Sequence, residues 1–212
     1  LQARIWLLAM DRFELSLRVK AARARNAFLK EAARGYEDNG AVAGWIVERH
    51  QRRVQVELQA HYRKVVPYFG TAALRQINQG RKASADLFLS LTSEWIAREA
   101  LRKATLIAAT ARQDVADAIS DGMAEGLGTA EIARNIRKVS ALTPARASVI
   151  ARTETHAAAA FGSVESVRQA EQDLSIKLLK EWLPTNDGRT RDTHAAMAGY
   201  GPIPLDEKFN VG

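Results

Sequence analysis

The sequence predicts a mainly α-helical protein, in which a region of long helices is followed by a small α+β module. Apolar residues recur three and four positions apart through most of the first 170 residues, which is the period of an amphipathic helix. After Asp173 the stretch SIKLLKEWL alternates like a strand. Apolar residues make up 47% of the 212 positions, enough to bury a core. We therefore expect a helical region over residues 1–140 and a smaller module over residues 141–212.

Two apolar rows predict the first long helix, which we expect to end near Gly35. The main row consists of Trp6, Met10, Phe13, Leu17, Ala21, Ala24 and Phe28. The adjacent row consists of Ile5, Leu8, Leu15 and Val19. A second helix is predicted from about Val42 to Val66, closed by Pro67 because proline has no backbone N–H to donate. Its apolar face includes His61, which we interpret as a hydrogen-bonded core histidine.

Three further helices are predicted from their caps and their small-residue stripes. The third runs from an N-cap at Ser84 to about Gly122, and small residues let it approach its neighbours closely. Its stripe consists of Leu101, Ala104, Ala108, Ala111, Val115 and Ala118. Thr129 is the predicted cap of a short helix that ends at Lys138. Thr143 is the predicted N-cap of the next helix, because a threonine followed by proline is typical of a helix start.

The last forty residues predict a strand, a turn and a short helix. In the strand SIKLLKEWL, one face carries Ile176, Leu178, Lys180 and Trp182. The residues PTNDG are typical of a turn, and TRDTHAAMAG predicts a short helix from Thr190 to Gly199. Loop and short extended structure are expected after it.

Composition excludes some classes of protein and leaves others open. The formal net charge is +7, and residues 1–70 carry 13 Lys and Arg against 7 Asp and Glu. This excess would attract a polyanion such as nucleic acid, or it is simply a set of solvated helix faces. The absence of cysteine excludes disulfides, thiol nucleophiles and cysteine-bound zinc in this stretch. Charges interrupt the apolar start, so we expect a soluble, cytoplasm-type protein without a membrane span, and a first residue Leu1 indicates a fragment or a trimmed product.

Glu154 stands where an apolar residue is expected. The row in which it lies consists of Ile150, Glu154, Ala157, Phe161 and Val164. A buried carboxylate without a partner is costly, so it should meet an arginine, a hydroxyl or an indole N–H. The segment WLPTNDGRTR offers Trp182, Arg189, Thr190 and Arg191, and such a contact would lock the tail onto the helices. The alternative is a catalytic acid or base, which we consider weaker.

Other chemistry finds little support in the residues. His156 and His194 with Asp187 or Glu154 could hold zinc, but no metal-ligand spacing such as HExxH is present. Hydrogen bonding to the turn backbone is the more common role for a residue placed like His194. Ser163 and Ser166 lie near His156, but the strained turn that exposes a catalytic serine is absent. The segment GMAEGLG follows a helix rather than a strand, so it does not predict a phosphate-binding loop. We therefore expect no catalytic residue, no metal and no cofactor, and interpret the chain as a protein that is not an enzyme.

Five motifs appear in a fixed order near the end of the chain: ARTETHAAAAFG (151–162), KEW (180–182), DGRTRDTH (187–194), the glycine at 199 and PLDEKFNVG (204–212). Together they resemble the Mu F-like family of phage head morphogenesis proteins, also called minor head proteins. The family residues carried over to this chain are Arg152, Thr153, Glu154, Gly162, Lys180, Trp182, Asp187, Arg189, Thr190, Arg191, His194 and Gly199.

The resemblance implies a structural protein of a tailed-phage head, found in the virion near the portal vertex and in the host cytoplasm during assembly. It implies the portal protein and other head proteins as partners, a role in packaging or ejection of DNA, and no membrane. Alternatives are a module that binds double-stranded DNA without sequence preference, or a carrier for a fused toxin or transferase domain. The cations expected to meet phosphate or portal are Arg18, Lys20, Arg23, Arg25, Lys30, Arg34, Arg49, Arg52 and Arg53, with Arg63 and Lys64 beside them.

Overall fold

The protein is described here by a computed structural model, which covers residues 2–77, 85–139, 143–182 and 192–210 and confirms the mainly α fold. In chain order its helices and strands are α1 (Gln2–Asn39), α2 (Gly44–Ile77), α3 (Ala85–Ala124), α4 (Thr129–Lys138), α5 (Thr143–Leu174), β1 (Leu179–Lys180), α6 (Asp192–Ala196), a 3-10 turn (Met197–Gly199) and β2 (Ile203–Pro204). None of the helices in these ranges has an apolar stretch long enough to cross a membrane.

The long helices form a bundle around two apolar cores. Helix α5 packs chiefly on α2 and α1, while α3 joins the bundle mainly through α2. One core lies where α1, α2, α3 and α5 meet, and its largest members are Met10, Phe13, Leu17, Leu58, Tyr62 and Phe69. The other core joins the end of α1 and the start of α2 to α3 and α4, and its largest members are Phe28, Leu29, Tyr36, Ile46, Ile132 and Ile136. The boundary near residue 140 stays a prediction, since α5 on its far side shares the first core.

Two predicted helix ends are wrong, because tertiary packing outweighs the local signals. Helix α1 continues past Gly35 to Asn39, and α2 continues through Pro67 to Ile77. A proline inside a helix costs about 3 kcal/mol. Val65, Val66 and Phe69, which flank it, are fully buried, and their burial offsets this cost.

The apolar rows are only partly confirmed. In α1 the residues Met10, Phe13 and Leu17 are buried as predicted, whereas the adjacent row stays exposed. In α3 the stripe residues Ala104, Ala108 and Ala111 are buried, whereas Ala118 is partly buried and Leu101 is 46% exposed. In α5 only Glu154 of the predicted row is buried, and the other members of the row are half-buried. The prediction that this row forms the buried face of α5 is therefore wrong. The buried face of α5 instead consists of Ala147, Ala151, Glu154, Thr155, Ala158, Ala159, Gly162, Ser166, Gln169 and Ala170.

The two threonine caps were also placed wrongly. Gly128 is the N-cap of α4, and its N–H donates to the Glu131 carboxylate at 3.2 Å. Helix α5 begins at Thr143 itself, and the buried hydroxyl of Thr143 has no hydrogen-bond partner among the described residues.

The predicted strand is much shorter than SIKLLKEWL. Only Leu179 and Lys180 pair with a second strand, antiparallel to Pro204 and Ile203. The first two residues of the segment form the C-terminal cap of α5. Ser175 adopts a φ of 51°, and the N–H of Ile176 donates to the Glu171 carbonyl at 3.2 Å. Helix α6 and the 3-10 turn after it end at Gly199 as predicted. The turn PTNDG and the helix start at Thr190 lie outside the described residues.

Gly162 is the point of closest approach between α5 and α2. A Cβ built on Gly162 would lie 2.3 Å from the carbonyl oxygen of Val66, a distance that atoms do not adopt. The neighbour is backbone, so it cannot be moved aside like a flexible side chain. The family glycine at this position is therefore required by helix packing.

We expect Gly162→Ala to lower the free energy of unfolding by about 3 kcal/mol, because the added methyl group forces the two helices apart. Urea denaturation followed by circular dichroism measures the loss. Gly44→Ala, at the first residue of α2 with nothing within 4 Å of its built Cβ, is the matched control and should be nearly neutral. Equal effects of the two substitutions would contradict the close-contact explanation.

Candidate functional site

The Arg152–Thr153–Glu154 segment of α5 places its carboxylate inside the helix bundle. The side chain of Glu154 is buried, with 4% of the residue exposed. The Tyr62 hydroxyl, from α2, donates to Glu154 Oε2 at 2.5 Å. The Lys103 ammonium, from α3, lies 3.0 Å from Glu154 Oε1. Both carboxylate oxygens are therefore engaged, and one side chain connects three helices.

Charges near Glu154 continue toward the surface of α3. Lys103 also lies 4.0 Å from Glu99, whose carboxylate accepts two hydrogen bonds from Arg102. These bonds with Arg102 lower the pKa of Glu99. Burial raises the pKa of Tyr62 far above its usual range, and the hydrogen bond to Glu154 and the negative charge there add to the shift. Tyr62 therefore remains a protonated donor, and the cluster is a fixed ionic network.

The expectation that Glu154 is buried with a polar partner is confirmed, since a hydroxyl meets it. The more specific prediction that Trp182 donates to it is wrong. The indole N–H of Trp182 is buried without a hydrogen-bond partner in the described ranges. Arg189 and Arg191, the other predicted partners, lie outside the described residues. The sequence does not point to Tyr62 and Lys103, because nothing in the residues around Glu154 indicates which distant helix faces it.

The aromatic residues of the tail form their own cluster. The ring of Trp182 meets His194 edge-on at 5.3 Å and Phe209 at 5.5 Å between centroids. The Lys180 ammonium donates to the Leu205 carbonyl at 2.9 Å and lies 5.7 Å from the ring of Phe209. The family residues Lys180, Trp182 and His194 thus hold the two short strands and α6 together. Asp187 and Thr190 fall outside the described residues.

His61 is a buried, hydrogen-bonded core histidine, as the sequence predicts. Its Nε2 lies 3.0 Å from the Thr155 hydroxyl of α5, and 5% of the residue is exposed. Burial, together with the charges of Lys20 and Lys64, lowers the pKa of His61 to about 4. The imidazole is therefore neutral at physiological pH and joins α2 to α5 one residue beyond Glu154.

Arg152 and Thr153, which precede Glu154 in α5, face outward. Arg152 lies 4.0 Å from Glu14 of α1, and His156 lies 3.3 Å from the same carboxylate. Thr153 is exposed. His194 is on the tail cluster rather than beside His156, and no group of three potential metal ligands occurs among the residues described. The Ser166 hydroxyl donates to the Gly162 carbonyl at 2.7 Å inside the core, so it is a packing group.

A cavity of about 540 Å³ opens beside Glu154, between α3 and α5. Its floor is formed by apolar residues of α1 and α2 such as Leu17, Val54 and Leu58, and Lys103 and Thr153 line its edge. The charged groups that border it are already paired with one another. The arrangement offers an apolar recess whose wall includes His50, an imidazole that is buried without a hydrogen-bond partner among the described residues.

The basic residues of α1 and α2 are only partly available to a partner. Arg25 is a correction: it is 8% exposed and bound to Asp114 at 2.6 Å, so it cannot meet phosphate or a portal surface. The cations with surface carboxylate partners are Lys20, Arg34, Arg49, Arg52 and Arg53. Exposed cations without an ion pair in the described part of the chain are Arg18, Arg23, Lys30, Arg63 and Lys64.

Comparisons with known proteins point to the same family as the motifs. Residues 113–211 match the family model described as Phage Mu protein F like protein. The chain is 33% identical over 96 residues to Minor head protein GP7 of Bacillus phage SPP1, covering 45% of this chain and 30% of that protein. It is 34% identical over 99 residues to NAD(+)--arginine ADP-ribosyltransferase EFV of Enterococcus faecalis, covering 47% of this chain and 20% of that protein. The chain thus spans less than a third of these relatives, and no solved structure matches it.

We expect Glu154→Ala to lower the free energy of unfolding by about 3 kcal/mol, because it leaves Lys103 and the Tyr62 hydroxyl partly buried without their acceptor. Glu154→Gln keeps an acceptor for Tyr62 and should cost less. Chemical denaturation measures both, with Glu125→Gln, at an exposed residue in the turn after α3, as the control. A double-mutant cycle with Tyr62→Phe that shows no coupling would contradict the network.

Two buried histidines should make the fold sensitive to mild acid. Burial lowers the pKa values of both His50 and His61 from 6.5 to about 4. The folded state then binds fewer protons than the unfolded state between these values, so the stabilisation is complete above pH 6.5 and is lost as the pH falls toward 4. Each histidine accounts for about 3 kcal/mol across that window. Urea titrations at several pH values measure the slope, and a slope that His61→Asn leaves unchanged would contradict its assignment.

Proposed function

We propose that this chain, whose residues 113–211 form a Mu F-like region, is a structural protein of a tailed-phage head that acts at the portal vertex during head assembly. The observation that carries the proposal is the family-model match over residues 113–211, which contain the ordered motifs, together with the 33% identity to a phage minor head protein over 96 residues. In this proposal the chain enters the head with the portal, takes part in packaging or ejection of DNA, and remains in the virion.

The packing of the family residues supports a structural role rather than an enzymatic one. Gly162 is required by the contact with the Val66 backbone, and Glu154 is held by Tyr62 and Lys103. A general acid or base needs a carboxylate that can reach a substrate, and both oxygens of this one are engaged. The motif that identifies the region thus serves to hold α5 in the bundle.

The proposed contact with the portal uses the cations that the chain itself does not neutralise. Arg23, Lys30, Arg63 and Lys64 are exposed on α1 and α2 and have no ion pair in the described ranges. An acidic portal surface or DNA phosphate would each attract them, and both attractions weaken with salt. We favour the portal, because a head protein must be incorporated before DNA is packaged.

Neutralising these four cations to Gln should remove the chain from portals in DNA-free procapsids, measured as chain per portal by quantitative gel analysis. The matched control neutralises Arg34, Arg49, Arg52 and Arg53, which changes the net charge equally but affects only cations that already have carboxylate partners. Wild-type incorporation by the test variant would contradict the portal contact. If the purified variant also loses salt-sensitive retention of DNA, the phosphate contact replaces it.

A second candidate function is that of a carrier module for a fused toxin or transferase domain. Its support is the match to a protein named as an arginine ADP-ribosyltransferase, although the matched part is a fifth of that protein. Analysis of purified phage heads for the chain separates the two candidates. Recovery of the chain in heads favours the assembly role, whereas absence from heads, together with transferase activity in a longer form of the chain, favours the carrier.

A further inference from the structure

Helix α1 is apolar on two opposite faces over its first half. The inner face buries Met10, Phe13 and Leu17, each no more than 8% exposed, against α2, α3 and α5. The outer face carries Ile5, Leu8, Leu15 and Val19, which are 54%, 61%, 52% and 41% exposed. Only one of these two apolar faces is buried within the chain, so the other exposes apolar residues that the fold does not cover. None of the described elements covers this outer row.

The outer row has the spacing of a coiled-coil seam. Ile5, Arg12 and Val19 are seven residues apart, and Leu8 and Leu15 follow the first two by three residues. These are the a and d positions of a heptad, the pattern by which one helix packs lengthwise on another. The long stem of Arg12 can lie along the seam while its charged end reaches water. A face with this spacing fits a helix as its partner.

Charges beside the seam select a second copy of the same helix. Asp11 and Arg18 are seven residues apart at the position that precedes each a residue, and neither has an ion pair in the described ranges. If two copies of α1 run antiparallel with Leu8 opposite Val19, then Asp11 of each copy faces Arg18 of the other. In a parallel pair Arg18 would instead face Arg23 of the second copy, and the like charges would repel.

We propose that two copies of this chain associate through their α1 helices, antiparallel, along the seam of Ile5, Leu8, Leu15 and Val19. The layers are then Ile5 on Ala22, Leu8 on Val19 and Arg12 on Leu15, each formed twice. The paired stretch spans residues 5–22, which is about 27 Å of helix. The proposal concerns a face that the head role does not require, so either can fail without the other.

Sedimentation of the whole chain over a range of concentrations tests the seam. The wild-type chain should form a dimer, and Leu8→Gln with Leu15→Gln should raise its dissociation constant at least tenfold. Val56→Gln, at a residue of α2 that is 61% exposed and off the seam, is the matched control and should change nothing. A monomer at every concentration, or equal effects of seam and control substitutions, would overturn the proposal.

Charge reversal tests the direction of pairing. Asp11→Arg alone places Arg against Arg, and Arg18→Asp alone places Asp against Asp, so each variant should dimerise less well. Mixing the two variants restores both ion pairs and should give a heterodimer. A chain that carries both Asp11→Arg and Arg18→Asp should form a homodimer for the same reason. Mixed variants that remain monomeric overturn the antiparallel pairing.

The absence of native cysteine gives a direct test of register. A chain with Leu8→Cys and a chain with Val19→Cys should cross-link to each other on oxidation, and each should cross-link poorly to itself. Efficient self-linking of Leu8→Cys chains would show a parallel arrangement and would overturn the proposal.

Discussion

The close packing of α5 on α2 is the constraint on which the rest of the structure depends. At Gly162 the two backbones approach so closely that no side chain fits between them. The neighbouring positions of α5 are therefore small or polar, and they meet α2 through the Glu154–Tyr62 and Thr155–His61 contacts. With this distance set, α1 packs on the remaining sides through large side chains such as Phe13 and Leu17, and α3 packs through alanines. Interiors packed at this density tolerate little change in volume.

The buried ionic network at Glu154 contributes specificity more than net stability. Removing a carboxylate, an ammonium and a hydroxyl from water costs free energy that their mutual contacts only partly return. What the network provides is a single arrangement of three helices, since Tyr62 of α2 and Lys103 of α3 must both reach the same carboxylate. Otherwise smooth alanine faces on α3 and α5 could slide along one another. A charged residue among alanines is thus a device for fixing register, and it explains why Glu154 need not be catalytic.

Ion pairs and packing occupy many of the charged residues of this chain. Glu154 and Gly162 of α5 are committed to packing, and the tail residues Lys180, Trp182 and His194 to a local aromatic cluster. The outer faces of α1 and α2 carry both cations that are paired with carboxylates and cations that have no ion pair in the described ranges. Ion pairs within the chain reduce the effective charge of this surface well below its count of Lys and Arg, so a formally basic region presents only a few attractive positions.

The sequence by itself determined the helical class, most of the apolar rows, the family resemblance and the presence of a polar partner for Glu154. These follow from the spacing of apolar residues, the composition and the cost of a buried charge, all of which can be judged from neighbouring residues of the sequence. Only the tertiary structure decided which residues meet Glu154, that α2 runs through Pro67, that Arg25 is internal and that the strand shrinks to two residues. Each of these depends on what a distant segment places beside the residue, and packing free energy of several kcal/mol outweighs local preferences of one or two. Tyr62 and Lys103 could not be assigned in advance, because nothing in the residues around Glu154 specifies the helices that face it.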